Sequence, residues 1–284
     1  MFCARRQVTA ISRSIWRVRI AKSPSFGAQT GHYKMVVHVM AERSRQPLVF
    51  MHRGYRRWAL ENSTQAFVDA VEASHAGIEL GIEFDVRFTG DNVPVILHDE
   101  SFFGVLLADV TYRELRARFA SNCPPLLADA VEILGEGNFK CVNAEIKEYG
   151  GTAQVLEILQ PIGEQLLVVS TDRLDVAKQL QETARHLQRG LVFHDHSHRV
   201  EDVDKFMSLA EEYEADILVV EHTLLSPALI ERLHSVGKRI GTYTINDVSV
   251  FRRMHLAGDV DCIYTDVTET FYSELDHVGS SSVS

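Results

Sequence analysis

Cysteine is scarce and scattered in this chain. Cys3, Cys123, Cys141 and Cys262 are the only four among 284 residues, and no two form a C-x-x-C pair. That spacing fits reduced thiols in a cytosolic or matrix compartment better than a disulfide framework. No apolar run is long enough for a membrane span or shaped like a secretory core, so a transmembrane anchor is not expected. No G-x-G-x-x-G and no P-loop follows an apolar run, which counts against an open doubly wound sheet. Acidic residues are missing from positions 1–41, which carry Arg5, Arg6, Arg13, Arg17, Arg19, Lys22 and Lys34. An Arg-rich, Ser-containing, acid-free start has the composition of a mitochondrial transit peptide. The alternative is a disordered arm or an over-long start, with Met35 or Met40 as the beginning. We take the second reading, with a cytoplasmic protein as the expectation and a mitochondrial one as the alternative. In the rest of the chain 22 basic residues face all 39 acidic ones, a net charge near −17. A surface so acidic argues against a general nucleic-acid binder.

From Leu48 onward, apolar runs alternate with helical patterns, and no long low-complexity linker intervenes. Runs stand at 48–51, 82–86, 93–97, 139–144, 166–169, 191–193, 217–220, 239–243 and 262–264. Helical spacing fills most gaps, as in 61–76, 173–187, 226–236 and 248–256. Alternating strand and helix predicts a parallel sheet with helices outside. Nine strands are one more than a TIM (β/α)8 barrel needs. The surplus is a β-hairpin centred on Thr89-Gly90-Asp91-Asn92, because so short a turn cannot join parallel neighbours. The expected domain spans 46–272, after a basic extension over 1–41 and before a disordered tail over 273–284.

Charged residues gather at the ends of these runs: His52-Arg53-Gly54, Glu83-Phe84-Asp85, His98-Asp99 and Glu145-Ile146-Lys147. Period-2 alternation puts Glu83 and Asp85 on one face of a strand, about 7 Å apart. No basic residue lies between them, so they repel unless a cation intervenes. Oxygen ligands of this kind suit Mg²⁺, Mn²⁺ or Ca²⁺ rather than zinc. Antiparallel pairing across the hairpin sets His98 opposite Phe84 or Asp85, bringing an imidazole beside that site. His98-Asp99 could instead only open a polar loop. Arg53 offers a planar fork for phosphate oxygens, and Gly54 lets backbone approach a ligand, although a plain strand-to-loop junction reads the same way. Glu145 and Lys147 are either a structural ion pair or a third ligand beside a phosphate-binding ammonium.

Taken together these segments resemble the glycerophosphodiester phosphodiesterase family, from about Leu48 to about Glu269. The pattern includes Glu61-Asn62-Ser63 with Ala66-Phe67, Tyr243-Thr244-Ile245-Asn246 and Thr265-Asp266 besides the four groups above. The bacterial cytoplasmic type looks most similar. Leu60 and Ser63 replace the family's proline and threonine, Tyr243 replaces its tryptophan, and the segment after Asp99 lacks L-x-R-T-T. The resemblance implies a divalent cation held by Glu83, Asp85 and Glu145, with His52 and His98 as the acid–base pair. Arg53 and Lys147 would neutralise phosphate, with Glu61, Asn62 and Tyr243 lining the substrate site. Glu61 and Asn62 also suit a helix N-terminus.

The implied reaction is metal-dependent hydrolysis of glycerophosphodiesters to sn-glycerol 3-phosphate and an alcohol. Two alternatives stand beside it. One is a lysophospholipase D using an apolar groove built from residues 102–107; the other is a silent member that binds phosphodiesters without cleaving them. His194, His196 and His198 alternate after a strand and could bind a transition metal, or belong to a loop at the barrel mouth. Glu221 stands at another strand end as a candidate substrate contact.

Overall fold

The computed structural model describes residues 47–194, 203–257 and 260–271. The expected N-terminal extension and C-terminal tail, and His196 and His198, lie outside the described residues. In chain order the elements are β1 (Leu48–Met51), α1 (Thr64–Ser74), β2 (Leu80–Phe88), β3 (Pro94–Ile96), β4 (Ser101–Phe102) and β5 (Val105–Leu106). Then follow α2 (Tyr112–Phe119), α3 (Leu127–Leu134), β6 (Cys141–Ile146), α4 (Thr152–Leu159), β7 (Leu167–Thr171), α5 (Leu174–Thr183) and β8 (Gln188–Phe193). The last are α6 (Val203–Glu212), β9 (Ile217–Glu221), α7 (Pro227–Ser235), β10 (Arg239–Tyr243), α8 (Val248–Ala257) and β11 (Cys262–Thr265).

Eight strands pair in parallel in the order β1, β2, β6, β7, β8, β9, β10, β11, and β11 pairs back to β1, closing a barrel. The surplus strand is β3, antiparallel on β2 with Val86 opposite Ile96 and Phe88 opposite Pro94. The paired residues end at Ile96, Leu97 N–H bonds the Asp85 carbonyl at 3.1 Å, and His98 lies beyond the ladder. No helix of the described residues is long and apolar enough to cross a membrane.

Barrel strands are covered on both faces, so almost every position is buried, and the two-residue period decides which side each residue serves. Val49 and Met51, and Ile82, Phe84 and Val86, face the helices and pack with Phe67, Leu127 and Ala130. Phe50, Val168, Val192, Ile217, Val219, Cys262 and Tyr264 fill the interior. Phe50 stacks on Tyr264 with ring centroids 4.6 Å apart. On its other side it pairs in register with Gly81, where a Cβ would lie 2.7 Å from the Phe50 ring.

Two of the boundaries that differ from expectation have a visible cause. The first helix starts at Thr64, not at Glu61, because Asn62 takes a left-handed conformation (φ 54°) and Ser63 caps the helix by accepting from Ala66 N–H. The strand expected over 139–144 runs instead from Cys141 to Ile146, because its register with β2 pairs Gly81 with Cys141 and Val86 with Ile146. Phe139, before the strand, belongs to the outer core.

Interior packing gives a direct prediction. Gly81→Val should destabilise the protein by about 1–3 kcal/mol through overpacking against Phe50. A urea midpoint equal to that of the parent protein would mean that Phe50 can move away freely.

Candidate active site

Each inward row of the barrel ends in a polar or charged residue at the C-terminal mouth, where such barrels carry their chemistry. Phe50 is followed two residues on by His52, Gly81 by Glu83 and Asp85, and Asn143 by Glu145 and Lys147. The other rows run from Ser170 to Asp172, Val192 to His194, Val219 to Glu221, Gly241 to Tyr243, and Tyr264 to Asp266. Together His52, Arg53, Glu83, His98, Glu145, Lys147, His194 and Tyr243 line a cavity of roughly 370 Å³, open to solvent, with Asn143 and Tyr264 among its other walls. Asn143 accepts from Ser170 Oγ at 2.9 Å and donates to the Tyr264 hydroxyl at 3.2 Å.

Glu83, Asp85 and Glu145 are buried and place one carboxylate oxygen each within 4.8 Å of the others. Lys147 Nζ lies 2.5 Å from Glu145 and 3.3 Å from Asp85, and Arg53 Nε lies 3.4 Å from Asp85. Burial would depress the Lys147 ammonium, but Glu145 and Asp85 outweigh it and keep it charged. Burial alone would raise the pKa of Asp85, yet Lys147, Arg53 and His98 bring it below the ordinary value. Glu145 is raised by burial, which the Lys147 charge offsets only in part. Glu83 is pushed well above the carboxylate range, first by burial and then by Asp85 and Glu145. It accepts the Arg53 backbone N–H at 2.9 Å through one oxygen. Its other oxygen, Oε1, is buried without a hydrogen-bond partner. Lys147 partners Glu145 and Asp85 and Arg53 partners Asp85, while this Glu83 oxygen has no partner. The donor set therefore fits a divalent cation, as the acidic residues of the sequence imply.

His52 and His98 each have an aspartate on Nδ1. His52 Nδ1 is 2.8 Å from Asp266 Oδ1 and its Nε2 is 3.9 Å from Glu83. His98 Nδ1 is 2.8 Å from Asp99 Oδ1. An aspartate that accepts from Nδ1–H leaves Nε2 for chemistry in both rings. Burial lowers the pKa of His98, Asp85 opposing and Arg53 assisting.

Glu61 and Asn62 stand behind the cavity wall. Glu61 takes Arg53 at 2.7 Å and Arg56 at 2.8 Å, while Asn62 donates to Asp85 at 2.8 Å. Tyr243 lines the cavity and donates its hydroxyl to the Phe193 carbonyl at 2.8 Å.

The glycerophosphoryl diester phosphodiesterase family profile matches residues 52–270. The chain belongs to this family. It is 29% identical over 249 residues to a glycerophosphodiester phosphodiesterase of Caldanaerobacter subterraneus subsp. tengcongensis, a match covering 78% of this chain and 95% of that protein. A crystal structure of glycerophosphodiester phosphodiesterase from Thermotoga maritima shares 26% identity at a TM-score of 0.67, covering 81% of this chain and 98% of that one. A phosphodiesterase from Oleispira antarctica, solved in complex with the product sn-glycerol-3-phosphate, has the same fold at 21% identity and a TM-score of 0.68, over 82% of this chain and 98% of that one. The chain is thus a phosphodiester-hydrolysing enzyme.

Asp266 entered the sequence reading only as part of the family pattern, and Arg56 and Asp172 were not singled out. Asp266 orients His52 and also takes Arg56 Nη1 at 2.5 Å and Asn246 Nδ2 at 2.9 Å. Asp172 is 3.0 Å from His194 Nε2, whose Nδ1 meets the Tyr243 hydroxyl at 2.8 Å. The inward row Val168, Ser170, Asp172 would have revealed it. Burial opposes ionisation of Asp172, but the hydrogen bond from His194 and the Lys147 charge push its pKa down to about 2.

A carboxylate whose folded pKa is depressed stabilises the protein above its unfolded pKa, and that stability is lost as pH falls through the folded value. Asp172→Asn should therefore lower stability at pH 7 by up to about 2 kcal/mol. The deficit should shrink from about pH 4 downward and vanish near pH 2. Denaturant titrations showing a deficit constant between pH 7 and pH 3 would contradict this coupling.

Proposed function

We propose that this enzyme hydrolyses glycerophosphodiesters to sn-glycerol 3-phosphate and an alcohol, using His52 and His98 as its acid–base pair beside a divalent cation on Glu83, Asp85 and Glu145. The observation carrying this reading is the pairing of two aspartate-anchored imidazoles with a buried excess of carboxylate in one cavity. The product seen in the Oleispira antarctica relative agrees with it. One histidine takes the proton of the glycerol 2-hydroxyl as that oxygen attacks phosphorus. The other protonates the departing alcohol as its bond to phosphorus breaks. Water then opens the cyclic phosphate by the reverse proton transfers. Arg53 and Lys147 neutralise the charge that develops on the phosphoryl oxygens. When bound, Mg²⁺, Ca²⁺ or Mn²⁺ would polarise a phosphoryl oxygen and orient the attacking hydroxyl.

Every acid–base and ligand position is filled, which favours an active enzyme over a silent binder. The lysophospholipase D reading has one observation behind it. Among the described residues the exposed large apolar side chains include Trp58, Leu60, Phe103, Leu106 and Tyr149. All five sit on connections that follow β1, the β2–β3 hairpin and β6, and β1, β2 and β6 are consecutive round the barrel. The segment expected to form a groove is instead a small hairpin of β4 and β5, with Phe103 at its tip and Val105 and Leu107 buried. Cys123, Cys141 and Cys262 are free thiols, which supports a cytoplasmic or matrix setting.

The test is glycerol 3-phosphate release from glycerophosphocholine, run beside lysophosphatidylcholine as the competing substrate. Faster turnover of the single-chain lipid would replace the first reading with the second. His52→Ala and His98→Ala should each lower kcat by about 10²- to 10⁴-fold while the folded circular dichroism spectrum is kept. Turnover within a few-fold of the parent in either variant removes that histidine from its role.

A further inference from the structure

His98 lies two residues past the last residue of β3, and Leu97 N–H, bonded to the Asp85 carbonyl at 3.1 Å, is the last ladder contact before it. Its own carbonyl is held by a side chain. Arg87 Nε donates to His98 O at 2.6 Å, and Arg87 Nη1 donates to Glu148 Oε1 at 2.9 Å. The second oxygen of Glu148 accepts the Phe88 backbone N–H at 3.2 Å. Arg87 continues the inward row of β2 beyond Glu83 and Asp85, and Glu148 directly follows Lys147. The arginine side chain is 12% exposed, so this contact is shielded from water.

We propose that Arg87, braced by Glu148, is a positioning residue that sets the backbone of His98 and hence the reach of its imidazole into the cavity. It fastens three segments to one another: β2 with ligand Asp85, the end of β6 with Glu145 and Lys147, and the turn that carries His98. The side-chain anchor of His98 cannot do this alone, because Asp99 has a side chain 76% exposed and no fixed frame of its own. The fork geometry is essential. A guanidinium donates to the carbonyl and to the carboxylate at once in a fixed plane, whereas an ammonium offers one nitrogen to both. Glu148 neutralises the arginine, so the pair fixes geometry without adding net charge to the phosphate site. Neither residue lines the cavity. Their effect on turnover therefore passes through His98.

The experiment is a double-mutant cycle on the full chain with glycerophosphocholine, using Arg87→Ala, Glu148→Ala and the pair, with Arg87→Lys as the conservative variant. Displacing a reacting group by about 1 Å costs on the order of 100-fold. Arg87→Ala is thus expected to lower kcat by about 10- to 100-fold with KM within about twofold. Arg87→Lys should recover part of that loss, and the loss in the double variant should fall short of the product of the two single losses, since Glu148 acts on His98 through the arginine. Because a fold-wide loss would mimic a slow enzyme, the ring resonances of His98 and His52 are followed by NMR. Arg87→Ala should shift or broaden those of His98 and leave those of His52 in place. Turnover of Arg87→Ala within twofold of the parent, multiplying losses in the double variant, or unchanged His98 resonances would each overturn the proposal. The NMR arm needs no turnover, so its outcome stands even if the parent cleaves no glycerophosphodiester.

Discussion

Three carboxylates crowded into the mouth of a closed barrel are the constraint around which the site is arranged. Glu83, Asp85 and Glu145 cannot all stay ionised and buried without cations, and Lys147 and Arg53 supply two of them from within the chain. The rest of the mouth follows from this need. Gly54, at φ 88° and packed against Ala66, lets the chain double back so that the Arg53 N–H meets Glu83. Asn62 gives up helical geometry to reach Asp85, and Glu61 pins the guanidinium of Arg53. A buried cluster of one sign is costly unless paired, and the pairing here falls one charge short at Glu83.

Much of this was legible in the sequence because a barrel strand writes its faces with a period of two. Glu83 and Asp85 could be put on one face from spacing alone, and the Thr89–Asn92 turn marked the β2–β3 hairpin, after which His98 follows. The closed barrel followed from nine strands less one hairpin, and the family from motifs in order. What stayed hidden depends on contacts between distant segments. Asp172 looks like any polar residue after an apolar run until the inward rows are aligned across strands. Arg87 and Glu148 are 61 positions apart, and no local pattern joins them. The helix start was misread because propensity cannot show that Asn62 is taken up by Asp85. Of the alternating histidines after β8, His194 meets Asp172 and Tyr243 at the cavity wall, and His196 and His198 lie outside the described residues.

The site also shows a division of labour that the motifs conceal. Some residues of the mouth line the cavity, whereas Glu61, Asn62, Asp266, Arg87 and Glu148 hold those that do. Each histidine has an aspartate on Nδ1, but Asp266 is itself gripped by Arg56 and Asn246 whereas Asp99 stands in solvent. His52 is therefore fixed through its side chain and His98 through its backbone.

The central claim is that the excess carboxylate at Glu83 forms a cation site, and calorimetric titration of Mg²⁺, Ca²⁺ and Mn²⁺ into the parent protein and Glu83→Gln tests it most directly. The account predicts one ion bound by the parent and none by the variant. It also predicts that the ion-free variant is at least as stable as the parent, because a buried, uncompensated charge has been removed. An ion bound equally by both proteins, or by neither, would contradict it.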